Sequence, residues 1–373
     1  MQEHETIIVG AGVAGLGCAK RLHENGQKFL IITENVGGRV ETSPNGRVNY
    51  GAYYTTEDCT NIMPYIEKTG RVRFSNSHLH DGDKHYHILS LRILKHLPAL
   101  IRLFLDLREF RKHLIKFRKE SVNKSQEELI ENDPLLRKYY HQKAEEYVRE
   151  RGLEKLTREY LEQPLWASFF TEPKKVQTYL FLGSLQPLIA KSYSFVFHFE
   201  KLIEPFKKSI IKNSVTNVSK EKGIWVIKTK SGEEYKCKKL VIATPMNITN
   251  KLVEPQEIKG SIDVSFYHIK GTIREPYDVK GYNFFAVHEQ TALSKEEDGT
   301  YLYFYKGKDK IDKYFKEYEV ITHKKWDPAL FFFGDEYVDQ NPEENLFIAT
   351  DHNVPGMEDA FINGLYTAKL VMN

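Results

Sequence analysis

Hydrophobic and polar positions alternate in two distinct rhythms along the chain, and the first 40 residues contain both. Ile7-Ile8-Val9 is a short β-branched run, Gly10-Ala11-Gly12-Val13-Ala14-Gly15 follows it, and Leu16, Cys18, Ala19 and Leu22 then recur at helical spacing up to Asn25-Gly26. A second apolar run, Phe29-Leu30-Ile31-Ile32, leads to Gly37-Gly38-Arg39. This pattern predicts strand, glycine turn, helix, strand and a second glycine turn.

The rhythm changes further along. From Ile88 to about Gly152 it is helical: after Pro98, the residues Leu100, Leu103, Leu107, Phe110, Leu114 and Phe117 repeat at three- and four-residue spacing on one face. Asp133-Pro134 restarts a helix, and another runs from Leu153 to about Leu161, where Gln163-Pro164-Leu165-Trp166 is expected to break it. Strand signals return at Ile210–Val218, Ile224–Thr229, Glu234–Lys236 and Leu240–Ala243. Val264–Phe285 and Tyr301–Tyr305 read as strands of a second sheet, Lys306–Phe315 as a short charged segment, and Asn345–Ile348 as a closing strand before a final helix.

Gly10, Gly12 and Gly15 stand in G-x-G-x-x-G spacing between strand and helix, the setting in which the motif carries information. Chemistry explains each position: the first glycine makes the turn, the second admits a pyrophosphate against the backbone, and the third lets helix and strand pack closely. The helix N-terminus offers free N–H groups to the phosphates. A bound dinucleotide is therefore expected, and no second G-x-G-x-x-G is present to hold another.

Composition narrows the class. The 373 residues suffice for two domains, and 41% hydrophobic, 28% charged and 13% aromatic content is that of a globular protein. A net charge of +3 argues against a general nucleic-acid binder. Cys18, Cys59 and Cys237 are far apart, so no disulfide framework, zinc site or dithiol centre is indicated. With no basic, apolar leader and no apolar run reaching the roughly 18 residues of a membrane span, a cytoplasmic protein is expected.

Gly37-Gly38-Arg39, at this distance behind the first glycine motif, resembles the FAD-binding signature of the flavin amine oxidase and phytoene desaturase superfamily. Three further stretches carry the resemblance: Arg47–Tyr54, the strand around Val215 with the turn at Thr244-Pro245, and Asn345–Gly364. The resemblance implies an α/β fold in which a Rossmann-like FAD-binding domain, a parallel sheet with helices, holds an inserted α+β substrate domain. On that scheme residues 1–75, 206–250 and 326–373 bind FAD non-covalently, and residues 76–205 and 251–325 bind a small-molecule substrate.

The same resemblance assigns cofactor contacts to Gly10, Gly12, Ala14, Gly15, Gly38, Arg39 (pyrophosphate), Gly51 and Ala52 (beneath the flavin), Val215 (adenine), Thr244, Asp351 (ribityl chain) and Met357. Met357 begins a helix whose dipole stabilises negative charge on the reduced ring. The acid expected to bind the ribose falls on Thr33, with Glu34 one place later, and either is a candidate. Two departures bear on function. Asp359 stands where the family usually has glycine, adding negative charge beside the ring or pointing into solvent, and Gly356 occupies the place of a cage tyrosine.

An FAD-dependent oxidoreductase is thus expected, moving hydride from an organic substrate to flavin N5. The missing cage tyrosine favours an apolar substrate, isoprenoids being one class. The alternatives are an amine oxidase with an altered cage and a non-redox FAD-binding protein or mutase. No general base is identifiable; Lys270 and Lys306 lie near substrate-domain strands but read as surface lysines, and the aromatic passage Trp166–Phe199 reads as cavity wall or simply core.

Two stretches stay outside this scheme. Asp81-Gly82 predicts a hairpin that sets His80 opposite His85 and His78 opposite His87; a short family hairpin explains it better than a metal site, and no metal is assigned. Residues 92–119 carry nine Lys or Arg against Asp106 and Glu109. A helix with a solvated basic face is the simpler reading, and peripheral membrane contact through the basic helix 99–119 is the other.

Overall fold

The computed structural model describes residues 3–82 and 84–373. Strand β1 (Glu3–Gly12), helix α1 (Val13–Glu24) and strand β2 (Phe29–Gly37) follow the predicted order. The β-branched runs are buried on both faces, as a central parallel sheet requires: Ile7, Ile8, Ile31 and Ile32 are almost wholly inaccessible.

These strands belong to a seven-stranded sheet in the order Ile210–Lys212, β2, β1, Glu234–Ile242, Ile224–Thr229, Val215–Glu221, with Leu346–Ile348 alongside the end of Glu234–Ile242. The first four of that order are parallel; the ribbon beyond is antiparallel. The single strand expected over Ile210–Val218 is two, because Asn213 turns the chain. Its N–H donates to the Thr33 carbonyl (2.9 Å), after which Val215–Glu221 leaves β2 and pairs with Ile224–Thr229.

A second seven-stranded sheet runs Phe315–Phe333, Gly260–Ile273, Tyr301–Tyr305, Thr291–Lys295, Tyr282–Phe285, Ser77–Asp81, Lys84–His87. The histidine hairpin has the expected register, His78 opposite His87 and His80 opposite His85; Asp83 in its turn lies outside the described residues. Three short strands, Thr55–Thr56, Ser192–Phe197 and Ile66–Val72, make a third sheet. The segment Lys306–Phe315 contains one helical turn, Ile311–Tyr314.

Helices fill the middle of the chain. Helix α2 (Leu97–Ser121) takes Pro98 into its first turn, where a missing N–H costs nothing, and buries Leu103, Leu107, Phe110, Leu114 and Phe117. Asp133 caps the next predicted helix through Leu135 and Leu136 N–H groups. Pro164 does not break its helix: Glu162–Phe169 continues directly from a π-helical turn at Thr157–Leu161. In the widened turn and the first residues after it, a proline removes little regular hydrogen bonding. No helix among the described residues is long and apolar enough to cross a membrane.

The closing helix Met357–Met372 packs across α1 so tightly that both need glycine at the crossing. A Cβ on Gly364 would sit 1.9 Å from the Ala14 carbonyl oxygen, and one on Gly17 would sit 2.4 Å from that of Phe361. Around this crossing Leu16, Ala19, Phe361, Leu365 and Ala368 form one buried cluster with the outer face of β1 and β2.

Candidate functional site

A cavity of about 1060 Å³ runs from the glycine turn after β1 to the second sheet. Its first end is built from backbone. Gly10 holds φ +104°, and a Cβ there would lie 2.6 Å from the Ala243 carbonyl oxygen; one on Gly15 would lie 2.2 Å from the Gly10 carbonyl oxygen. A Cβ on Gly12 would meet nothing within 4 Å, because that residue faces the cavity. Gly10 and Gly15 let helix and strand approach, while Gly12 leaves room for something else.

The second turn reaches the first: a Cβ on Gly38 would lie 3.2 Å from Gly12 Cα. Arg39 is therefore brought over the mouth of α1, where its Nη2 donates to Asp351 Oδ1 (2.7 Å) and its Nη1 to the Ala329 carbonyl (2.9 Å). Both helix N-termini at the cavity, α1 at Gly12 and the closing helix at Gly356, lack a side-chain cap. Their free N–H groups and partial positive charge remain available to an anionic or electron-rich ligand.

Of the residues assigned from sequence, the cavity wall includes Gly10, Gly12, Ala14, Thr33, Glu34, Gly38, Arg39, Gly51, Ala52, Val215, Thr244, Asp351 and Met357. Gly15 stands behind the wall, in the packing role already described. Thr33 and Glu34 differ in how far their side chains are engaged with the protein. The Thr33 hydroxyl is committed to the backbone, accepting from Ala11 N–H (3.1 Å) and donating to the Asn35 carbonyl (2.7 Å). Glu34 is exposed at the rim, its carboxylate accepting from the Ser214 hydroxyl, and is free to exchange that partner for another.

Asp359 neither faces the cavity nor points into solvent. Arg118 of α2 clamps it bidentately, Nε to Oδ1 (2.9 Å) and Nη2 to Oδ2 (2.7 Å), with the two side chains only 16% and 3% exposed. Burial acts most strongly, and to lower the Arg118 guanidinium, but the Asp359 charge and hydrogen bonds, together with Cys59 and Glu358, outweigh it and hold the group well above its usual value. Glu358 also turns inward, accepting from Asn61 N–H (2.9 Å), Asn61 Nδ2 (2.8 Å) and Ile62 N–H (3.1 Å); burial raises its carboxyl. Neither side chain lines the cavity, although Asp359 Oδ2 lies close behind Gly356, 3.0 Å from where a Cβ there would sit.

The far end of the cavity is aromatic, with Tyr53, Tyr282, Phe284, Phe304, Phe170 and Trp326 on its wall and Ser168, Ser184 and Ser294 as neutral hydroxyls. Trp326 crosses at Gly51, where a Cβ would meet its ring edge at 3.1 Å. Glu296 is tied to this wall, accepting from the Ser294 hydroxyl (2.6 Å) and the Tyr53 hydroxyl (3.1 Å). Burial pushes its carboxyl up to about 7. Lys324 and Glu41, paired with each other on the wall, carried no sequence signal, since 283 residues separate them.

The two candidate lysines are elsewhere: Lys270 is exposed, and Lys306 lies 3.7 Å from Asp263. Lys259, which no sequence pattern marked, is buried against the Tyr140 hydroxyl (2.6 Å) and the carbonyls of His352 and Asn353 (both 3.2 Å), and burial lowers it to about 7. It ties Gly260–Ile273 to the segment after Asp351. Two of the hairpin histidines are engaged with protein: His80 Nδ1 meets His85 Nδ1 (2.7 Å), and His80 Nε2 meets Asn283 Oδ1 (2.7 Å). No cluster of three metal-ligating side chains occurs among the described residues.

A Rossmann-like sheet with two backbone-lined turns is joined to a second sheet that roofs one end of its cavity, a mixed α/β architecture. The profile of the NAD(P)-binding Rossmann-like domain family matches residues 8–69. No curated protein matches the chain by sequence. Among solved structures, putrescine oxidase bound to putrescine superposes with a TM-score of 0.68 at 12% identity, covering 100% of this chain and 99% of that one. Cyclohexylamine oxidase from Brevibacterium oxydans IH-35A superposes with a TM-score of 0.66 at 14% identity, covering 99% of both chains. The chain thus shares the fold of these two oxidases over its whole length.

Proposed function

We propose that the protein is an FAD-dependent oxidoreductase that oxidises a small, predominantly apolar organic substrate. The observation that carries the reading is the continuous cavity, whose first half is backbone and glycine and whose second half is aromatic. A nicotinamide dinucleotide would use the first glycine turn as well. The contact of Gly38 with Gly12, and the placement of Arg39 and Asp351 side by side, favour a longer dinucleotide that also passes a second turn.

The chain's own groups supply binding and orientation. The α1 N-terminus and Arg39 would hold the pyrophosphate, Glu34 the ribose hydroxyls, Val215 the adenine edge, Asp351 the ribityl hydroxyls, and the Met357 N-terminus the pyrimidine ring. Arg39 and Asp351 are already in register for adjacent ligand groups, since they hold one another at 2.7 Å. FAD bound there supplies a two-electron acceptor. Tyr53, Tyr282, Phe304 and Trp326 would exclude water from the reacting carbon and fix its approach.

An amine substrate is the second reading, favoured by Glu296, which lies just behind the aromatic wall and not on it. A carboxyl near 7, held by Ser294 and Tyr53 of the aromatic wall, ionises as pH rises through neutrality and would then attract a cation. One experiment separates the readings: absorbance of the purified protein, then anaerobic titration with a panel of amines and a panel of polyprenoids. Bleaching by polyprenoids alone supports the apolar substrate, bleaching by amines alone supports the second reading, and protein that neither carries nor takes up FAD refutes both. A yellow protein bleached by neither panel indicates a non-redox role for FAD.

A further inference from the structure

Helix α2 has two apolar faces, and only one is covered. Leu103, Leu107, Phe110 and Leu114 pack into the core, while Leu97, Ile101, Phe104 and Leu105 point outward, between 45% and 57% exposed. The turn before the helix continues the stripe with Leu91 at 85% and Leu94 at 60%. Of thirteen large hydrophobic side chains exposed among the described residues, eight lie within residues 89–115. Such concentration on one face marks a contact surface.

The same outward face changes character along its length. Beyond Phe104 it carries Arg108, Lys112, Lys116 and Lys119, all exposed, with Ile115 between them, and Arg92 and Lys95 flank the other end. The acids of the helix are engaged: Asp106 with Arg151, Glu109 with Lys112 and His113, and Glu120 with Lys124. Arg92, Lys95, Arg108, Lys116 and Lys119 have no ion-pair partner among the described residues.

We propose that this face docks on an anionic lipid surface, with the stripe from Leu91 to Leu105 entering the acyl boundary and the flanking cations among the headgroups. Charge decides the occupant. Five unpaired cations around an apolar stripe complement an anionic leaflet, which attracts each cation near it, whereas the core of a protein interface is depleted in charge and enriched in Tyr and Trp. The stripe is aliphatic apart from Phe104 and runs along the turn Leu91–His96 and the first turns of α2, an arrangement that sits in an interface plane without spanning it.

The test is sedimentation of the full chain with vesicles of phosphatidylcholine alone or mixed with phosphatidylserine. Binding is expected only to the mixed vesicles. Replacing Lys116 and Lys119 by Gln should weaken it about thirty-fold, the factor for two cations lost from an anionic surface. Replacing Ile101, Phe104 and Leu105 by Ser should weaken it at least about a hundred-fold. Circular dichroism spectra unchanged from the parent show that these exposed substitutions leave the fold intact.

Wild-type protein that stays in the supernatant with mixed vesicles overturns the proposal, as does binding that both sets of substitutions leave unchanged. A dimer in sedimentation velocity that the Ser variant dissolves, with no vesicle binding, would assign the stripe to a second copy of the chain instead. The assay reads no redox chemistry, so it stands or falls apart from the cavity's function.

Discussion

The bidentate pair between Arg118 and Asp359 gives a quantitative test of how α2 is fastened to the closing helix. With side chains 16% and 3% exposed, this is a buried pair and not a surface one. Arg118→Met strands a carboxylate with little water, and Asp359→Asn strands a guanidinium; either should cost about 3–5 kcal/mol. The double variant leaves no uncompensated charge, so it should be more stable than the sum of the singles implies, by about 2–3 kcal/mol. Urea unfolding followed by fluorescence of the buried Trp166 measures all four proteins. Singles costing less than about 1 kcal/mol and adding without coupling would refute the reasoning, because that is how solvent-exposed pairs behave.

Three further outcomes are expected. Gly12→Ala puts a poor N-cap where nothing crowds a Cβ and should cost only about 1 kcal/mol yet abolish uptake of FAD, whereas Gly15→Ala, with its Cβ 2.2 Å from a carbonyl oxygen, should lose both; calorimetric unfolding and flavin absorbance distinguish them. Gly364→Ala should destabilise by about 2 kcal/mol or more, while Gly183→Ala, in helix Thr178–Ser184 with open space around it, should stabilise by about 0.4–1 kcal/mol. His80 and His352 are held by burial at about 4, below their usual 6.5, so the unfolded chain takes up their protons first as pH falls. Their contribution is intact above about 6.5 and falls by up to about 1.4 kcal/mol per pH unit for each, down to about 4. Unfolding measured at pH 7 and 5 should show this loss, and a His80→Asn, His352→Asn double variant with an unchanged slope would contradict it.

What could be read in the sequence was local or periodic. The turn at Gly10 to Gly15 announces itself because strand, turn and helix are contiguous, and the inward stripe of α2 because its spacing is regular. What could not be read was decided by distant partners or by small departures from ideal backbone. Asp359 looked like a charge near the ring or in solvent because Arg118, its partner, lies 241 residues away. Pro164 looked like a helix stop because nothing local signals the π-helical turn before it. The bend at Asn213 is likewise invisible until β2 is beside it. Spacing puts Thr33 at the ribose position and Glu34 one place late, and nothing in the sequence shows that the Thr33 hydroxyl is already bonded to Ala11 and Asn35.

The glycine crossing between α1 and the closing helix also orders events during synthesis. Helix α1 emerges from the ribosome early, but the surface it needs arrives far later: Arg21 donates to the Leu365 carbonyl across 344 residues. Until Gly364 is made, Leu16 and Ala19 have no partner helix, and the strand Leu346–Ile348 has not yet joined the sheet beside Glu234–Ile242. A nascent chain stalled short of these residues should therefore expose this apolar face to chaperones, and the dinucleotide end of the cavity would be assembled among the final steps of folding.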